Sequence, residues 1–413
     1  MPIADQVLSE SETANVDQVD EIDILNLRFI DVPPEELPPF DNIDIKSTSS
    51  SDDEDEYNHI LPTEFINTKY ACLRATPYEP NYNKRLICLL SLVEQSRELE
   101  GENIRAASYA HVISALKTYP RPLGSIKEAE KIIGVGVRIR QKIQQFLETG
   151  TIEEAEGLRH SEEFRTRRLF SKVYGVGPVT AKIWWDVGYR TLQEVFDNAQ
   201  LTSTVRLGIQ LFPHFHQKMN RSDAEEMISI IQDQVSQLDH KIYITPVGGY
   251  RRGKPETADL DLIISALEGT PAQLLISLLD KMRQIGLLKH IVSHTRRRTS
   301  KGSASSYMYK QFGNELELYT CAILQPSKEI MRQVDFVVAE PDQYVTAVLG
   351  WTGTRHFEKS LRDYAKREKH MTLNSEAIIL ENRSGKAKLT PRTEEEAFEI
   401  LGVPYLDPTL RNC

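Results

Sequence analysis

The chain has 413 residues, of which 40% are hydrophobic and 27% charged, with a formal net charge of −10. That length supports two to four subdomains, and no apolar run approaches the roughly 18 residues a membrane-spanning helix needs. The first 30 residues are acidic where a secretory signal needs a basic start and an apolar stretch, and the four cysteines (Cys72, Cys88, Cys321, Cys413) are too scattered for a zinc knuckle or a disulfide framework, which points to a reducing intracellular compartment.

The charge is unevenly spread. Residues 1–80 carry 19 acidic against 4 basic side chains, leaving 46 basic and 41 acidic in 81–413, so the rest of the chain is mildly basic. Residues 1–66, with Ser47-Thr-Ser-Ser-Ser-Asp-Asp-Glu-Asp-Glu56, offer too little apolar surface to offset chain entropy and are expected to be a disordered acidic leader. Residues 67–152 show helical apolar spacing (Leu86, Leu89, Leu90, Val93; Ala110, Ile113, Leu116) and predict a compact helical domain. A second helical module is expected over 153–221.

Each helical module contains a Gly-Val-Gly, at Gly134 to Gly136 and Gly175 to Gly177, followed within a few positions by Arg138 and Lys182. Such a turn opens backbone N–H groups at a helix N-terminus to a DNA phosphate, the pattern of a helix-hairpin-helix. One copy is weak because any helix-helix turn uses glycine; two in succession favour DNA-backbone binding. Lys142, one helical turn beyond Arg138, is either a surface or phosphate-binding lysine or an amine nucleophile whose pKa is depressed by neighbouring cations, Arg138 and Arg140 among them. Helix position alone leaves both readings open.

Residues 222–341 turn mixed: a helix through Leu238, strands near Lys241–Thr245 and Leu260–Ser265, a helix Ala272–Ile285, and strands near Leu316–Ile323 and Gln333–Val338. Gly248-Gly249-Tyr250-Arg251-Arg252-Gly253-Lys254-Pro255-Glu256-Thr257-Ala258-Asp259-Leu260-Asp261 joins a glycine-rich basic turn to two aspartates at i, i+2. Alternate strand residues share a face, so Asp259 and Asp261 present their carboxylates to shared divalent cations, while Gly249 admits an anion to the backbone and Arg252 pairs with it. This is the chemistry of metal-dependent nucleotidyl transfer. Asp335, 74 residues beyond Asp261 in another β-type run, completes a three-carboxylate site. Residues 342–413 start helical and finish in turns and short elements, and the fold class is α+β.

The chain resembles the family X DNA polymerases, in particular the polymerase mu and terminal transferase branch, from about Lys69 to Cys413. The resemblance rests on Tyr70-Ala-Cys-Leu-Arg-Ala-Thr-Pro77, both hairpins, the 248–261 block, Asp335, Gly350-Trp-Thr-Gly-Thr-Arg355-His-Phe-Glu-Lys-Ser-Leu-Arg362 and Gly402-Val-Pro-Tyr405-Leu-Asp-Pro408-Thr-Leu-Arg-Asn412. It implies a lyase-type domain, a hairpin subdomain, a palm and a C-terminal nucleotide-binding subdomain. It further implies Mg²⁺, or Mn²⁺, held by Asp259, Asp261 and Asp335, with nucleotide contacts from Gly248, Gly249, Arg252, Gly350, Trp351 and Arg355. DNA contacts would come from Gly134, Gly136, Arg138, Gly175, Gly177 and Arg362. Gly350-Trp351 stands where sugar-selective members carry Tyr-Phe, so ribonucleotides should be tolerated beside deoxynucleoside triphosphates. Lys142 falls on the Schiff-base lysine of polymerases beta and lambda and Tyr109 on the tyrosine of their lyase pocket, implying a 5′-deoxyribose-phosphate lyase on a mu-like catalytic half.

The implied function is filling of short gaps in, or processing of ends of, broken double-stranded DNA in the nucleus, in base excision repair or non-homologous end joining and beside factors of those pathways. The 66-residue leader is too short and too poor in aromatics for the BRCT domain of larger members. The segment Ser293–Tyr307 lies where the mu and terminal transferase branch has a long loop that substitutes for a continuous template. Two alternatives remain: a mainly template-independent terminal transferase, and a non-catalytic DNA-end scaffold built on the hairpins.

Overall fold

The computed structural model describes residues 32–33, 60–238, 242–295, 316–382 and 385–413. The acidic run 47–56 and most of the basic segment 293–307 lie outside them. No helix among the described residues is long and apolar enough to cross a membrane.

The first helical module comprises α1 (Lys84–Leu99), α2 (Asn103–Lys117), α3 (Ile126–Ala129), α4 (Val137–Thr149) and α5 (Glu153–His160). Leu86, Leu89, Leu90 and Val93 are fully buried, joined by Val112, Leu116 and Ile143 from the neighbouring helices. Each such side chain contributes about 1.5–3 kcal/mol by leaving water. The second module follows as α6 (Glu162–Phe170), α7 (Pro178–Val187), α8 (Leu192–Asn198) and α9 (Ser203–Phe215), around Phe170, Trp184 and Phe212. At the hairpins Gly134 and Gly175 have φ of +104° and +83°, the left-handed region that favours glycine. A Cβ on Gly134 would also lie 2.2 Å from the His111 ring.

Next come β1 (Met219–Asn220), α10 (Arg221–Ser236), β2 (Ile242–Pro246), α11 (Gly248–Arg251), β3 (Glu256–Thr257), β4 (Asp259–Ala266), α12 (Pro271–Gln284), β5 (Leu288–Thr295), β6 (Glu317–Gln325) and β7 (Ile330–Val338). A five-stranded sheet has the order β2-β4-β7-β6-β5, with β4 and β7 parallel and the other pairs antiparallel. Its two faces are visible in the alternation of β4. Leu260, Leu262 and Ile264 bury against α10 and α12, while Asp259, Asp261 and Ile263 take the other face. On that face the α9 residues Leu207 and Leu211 pack on Val292 and Ala322, and the Tyr174 hydroxyl meets Thr320 Oγ1 at 3.1 Å.

Two findings differ from the sequence expectation here. Leu288–Thr295 forms an edge strand that was not anticipated; its register slips against β6 between Leu288 and His290 and again between Ile291 and Ser293, and such irregularities blur the period-2 signal. The basic glycine turn is a single helical turn, α11, whose start at Gly248 has φ +60°.

The C-terminal part holds α13 (Tyr344–Thr352), α14 (Arg355–Lys369), a three-stranded sheet of β8 (Met371–Leu373), β9 (Ile378–Asn382) and β10 (Gly385–Leu389), and α15 (Glu394–Leu401). Tyr70 and Cys72, ahead of α1, bury in the core of this C-terminal part beside Phe357 and Phe398. Thr76 N donates to Leu410 O at 2.7 Å and Asn412 N to Thr76 O at 3.0 Å. The chain thus closes on itself, first module against last.

Candidate active site

Asp261 and Asp335 are register partners on the parallel pair β4 and β7, and Asp259 is two residues back on the same face. One carboxylate oxygen from each lies within 4.8 Å of the others. Burial, then the charges of Asp259 and Asp335, push the Asp261 carboxyl well above its ordinary range against the pull of Arg252 and Lys254. Burial and the charge of Asp259 push Asp335 up to about 7. Asp335 Oδ1 is buried with no hydrogen-bond partner among the described residues, while Oδ2 accepts from Gln333 at 3.3 Å. Three converging oxygen ligands with unmet charge and an orphaned lone pair fit hard divalent cations, whose charge removes the repulsion.

Gly248 exists for this cluster. A Cβ there would lie 1.9 Å from Asp261 Oδ2, so only glycine allows α11 to pass the carboxylate. Two residues after Gly249 and Tyr250, Arg252 is buried, with 8% of its surface exposed; it donates through Nη1 to Thr352 O and through Nε to Asn412 Oδ1 at 3.3 Å. Arg251 takes a separate path, to Glu394, which also accepts from Arg411 Nη1 at 2.7 Å.

Gly248, Gly249, Arg252, Asp259 and Asp261 line one cavity of about 1050 Å³ that also receives Gly350, Trp351, Arg355 and Arg362. Seven of its lining side chains are basic (Lys218, Arg252, Lys254, Arg355, Lys359, Arg362, Lys366). A polyanion is the ligand such walls favour. Arg362, expected on DNA, lines this same cavity and donates through Nη2 to Ser375 Oγ at 3.3 Å. Gly350, in the last turn of α13, faces Ser375, whose Oγ would lie 2.7 Å from an added Cβ. Larger residues at 350 therefore need Ser375 to rotate away.

Several residues in or beside this cavity were not singled out as site residues from the sequence. Lys254 sits inside the quoted 248–261 block, so its signal was present. Glu358, pushed up to about 7 by burial against the opposing charges of Arg362 and Arg411, sits one helical turn before Arg362, inside the quoted 350–362 block. Ser375 lines the cavity, and Asn412 stands behind Arg252, only through tertiary packing.

The first hairpin borders a second cavity, of about 800 Å³, lined by Arg97, Tyr109, Gly134, Gly136, Arg138, Lys142 and Glu154 among others. Here the expected company of Lys142 is corrected. Arg138 and Lys142 share a face of α4 at i, i+4, but Arg140 is about 200° around the helix from Arg138 and pairs with Glu130. The group in contact with Lys142 is a carboxylate, Glu154 of α5, which Arg97 of α1 also pairs. Burial pushes Glu154 up, but the hydrogen bond and charge of Lys142 and the charge of Arg97 outweigh it and hold Glu154 below its usual range. Lys142 retains 17% of its side-chain exposure, against 49% for Lys182 after the second hairpin, whose nearest carboxylate, Asp186, is 3.9 Å away.

Family models match along the chain in order: a helix-hairpin-helix domain at 81–152, the fingers domain of DNA polymerase lambda at 168–216, a DNA polymerase beta palm at 218–341 and a DNA polymerase beta thumb at 347–412. Human DNA-directed DNA/RNA polymerase mu is 30% identical over 361 residues, covering 83% of this chain and 72% of that protein. The chain belongs to the family X DNA polymerases. Rat DNA polymerase lambda is 29% identical over 356 residues, 83% of this chain and 59% of its own length. The DNA polymerase type-X family protein pol4 of Schizosaccharomyces pombe is 28% identical over 374 residues, 86% of this chain and 69% of its own length. A family X polymerase takes DNA and nucleotides as its substrates, and three palm aspartates of this chain cluster as a group that could hold a metal ion.

Proposed function

We propose that the protein fills short gaps and processes ends of broken DNA, adding deoxynucleotides with weak discrimination against ribonucleotides, and that its first module is a 5′-deoxyribose-phosphate lyase. The observation that carries the synthetic reading is the convergence of Asp259, Asp261 and Asp335 within 4.8 Å, the first two lining a cavity with seven basic side chains. Mg²⁺, with Mn²⁺ as a substitute, fits the all-oxygen donor set; when bound it neutralises charge on the triphosphate and acidifies the primer 3′-hydroxyl. Asp335, with Oδ1 unpartnered, is the carboxylate suited to face that hydroxyl and take its proton. The Gly249 backbone and the Arg252 guanidinium orient the β- and γ-phosphates for in-line displacement, with pyrophosphate as leaving group. Arg355 and Arg362 add charge along the same wall.

Weak sugar discrimination is supported by Gly350, which puts no side chain over the sugar, and by a relative whose name includes both DNA and RNA. The lyase reading rests on Lys142 in a cavity beside Arg97, Arg138 and Tyr109. Its partners would then be gapped DNA held by the two hairpins through Gly134, Gly136, Gly175 and Gly177, together with factors of excision repair or end joining, in the nucleus. Primer extension on a one-nucleotide gap and on a blunt single strand, each with Mg²⁺ and Mn²⁺, tests this. Template-directed addition at the gap is expected; addition indifferent to the template would make the protein a terminal transferase, and no addition would leave a DNA-end scaffold.

A further inference from the structure

The last residues of the chain form a strap between three parts of the molecule, and Asn412 is its centre. This side chain is 3% exposed. Its Nδ2 donates to Arg252 O at 3.2 Å and to Thr409 O at 2.9 Å, which settles the amide orientation, and its Oδ1 accepts from Arg252 Nε at 3.3 Å. Its backbone is held from the first helical module: Asn412 N donates to Thr76 O at 3.0 Å, and Lys117 Nζ, at the end of α2, donates to Asn412 O at 2.9 Å. Arg252 Nη1 is taken by Thr352 O, so two of the three guanidinium nitrogens are tied to protein atoms.

We propose that Asn412 is a positioning residue for the incoming nucleotide: it fixes the plane of the Arg252 guanidinium so that Nη2 faces the triphosphate, and Lys117 braces Asn412 from the lyase-type module. The inference rests on the reading of Arg252 as the phosphate clamp. A planar fork binds phosphate well only when its orientation is set beforehand. Asn412 sets it with a two-point contact to Arg252, one to the side chain and one to the backbone. The first module thereby reaches the nucleotide site through four consecutive groups (Lys117, Asn412, Arg252, phosphate) without touching the nucleotide.

The test is steady-state primer extension on a one-nucleotide gap by the full chain, with gapped-DNA affinity measured separately. Asn412→Ala is expected to raise KM for the dNTP about tenfold, with kcat within about threefold and the gapped-DNA Kd within about twofold of wild type. The double variant R252A/N412A should show no further rise beyond Arg252→Ala, because the two residues act in series. Lys117→Met should raise KM about threefold and Asn412→Asp, which keeps the acceptor for Nε but loses both donated bonds, should fall between wild type and Asn412→Ala. A dNTP KM for Asn412→Ala within twofold of wild type, while Arg252→Ala raises it, would overturn the positioning role. An unchanged KM for Arg252→Ala would instead remove the clamp reading itself. Should Asn412→Ala fail to fold, Lys117→Met and Asn412→Asp decide, and unchanged KM in both overturns the inference.

Discussion

The two cavities of this polymerase handle their carboxylates differently and are built on different scaffolds. In the palm, three carboxylates gather on strands and basic side chains stand around them. In the first module the carboxylate of Glu154 is gripped by a lysine and an arginine delivered from two other helices. The sheet sets the carboxylate spacing through strand period and register, so the like charges are forced together and wait for cations. In the helical cavity Glu154 already pairs Lys142 and Arg97, so its chemistry depends on which group lets go. The proposed metal site and the proposed amine site thus differ in whether the carboxylates already have cationic partners from the protein.

The sharpest way to break the comparison is to remove one palm carboxylate. Asp261→Ala or Asp335→Ala should lower nucleotide addition at a gap by more than a thousandfold, because the cation loses a ligand and the in-line geometry its charge support. Gapped-DNA affinity should hold within a few fold, since hairpins and basic walls carry it. Trapping of an abasic 5′ end by borohydride should be unchanged in both, and its loss would mean the two cavities are not independent. The second break is Lys142→Ala. A neutral lysine amine condenses with the open-chain sugar aldehyde, water leaves, and the iminium acidifies the C2′ proton so that the C3′–O bond to the DNA phosphate breaks by β-elimination. The variant should lose at least nine-tenths of the trapped adduct and keep primer extension within twofold. Equal trapping would assign the role to another lysine.

That same difference in scaffold decides what was legible in the sequence. Asp259, Asp261 and Asp335 were readable because a strand converts i, i+2 into one face and a parallel partner brings Asp335 alongside Asp261. Gly248 was readable as a turn glycine, but its reason, the Asp261 oxygen where a Cβ would stand, is tertiary. Glu154 lies 12 residues beyond Lys142 on the next helix, and only the packing of α4 on α5 makes them partners. The expectation of Arg140 as a neighbour failed on helix geometry that the spacing itself contained. Asn412 is 160 residues from Arg252, a separation no local pattern reports. The edge strand β5 was lost to its two register slips.

A third, smaller effect tests how the wall of the palm cavity treats the sugar. Gly350→Tyr should raise the preference for dNTP over rNTP, as the ratio of kcat/KM values, about tenfold or more by steric exclusion of the 2′-hydroxyl. Because Ser375 Oγ stands 2.7 Å from the required Cβ, the single variant should also lose kcat. Adding Ser375→Ala should recover kcat while keeping the discrimination. A wild type that already prefers dNTPs by several thousandfold would contradict the role given to Gly350.

The smallest expected effect concerns the seam between the two regions. His356, near the start of α14, faces His111 of the first module with ring centroids 6.4 Å apart, and its Nε2 is buried without a partner among the described residues. Burial, then the charges of His111, Arg74, Lys359 and Lys117, push its pKa from 6.5 down to about 4. The sign follows from proton counting: between about pH 6.5 and 4 the unfolded chain binds the proton and the folded one does not, so stability is complete above 6.5 and lost as the pH falls toward 4. The shift limits the loss to about 3 kcal/mol, at about 1.4 kcal/mol per unit. Glu358, pushed up to about 7, acts oppositely, since its folded form holds a proton that the unfolded form releases. The two partly cancel in the wild-type profile, so the informative quantity is the difference between wild type and His356→Phe at each pH. Thermal unfolding from pH 7.5 to 4.5 should show the wild type losing Tm relative to the variant on the acid side, by several degrees. Parallel profiles would mean that His356 takes up its proton without disturbing the seam.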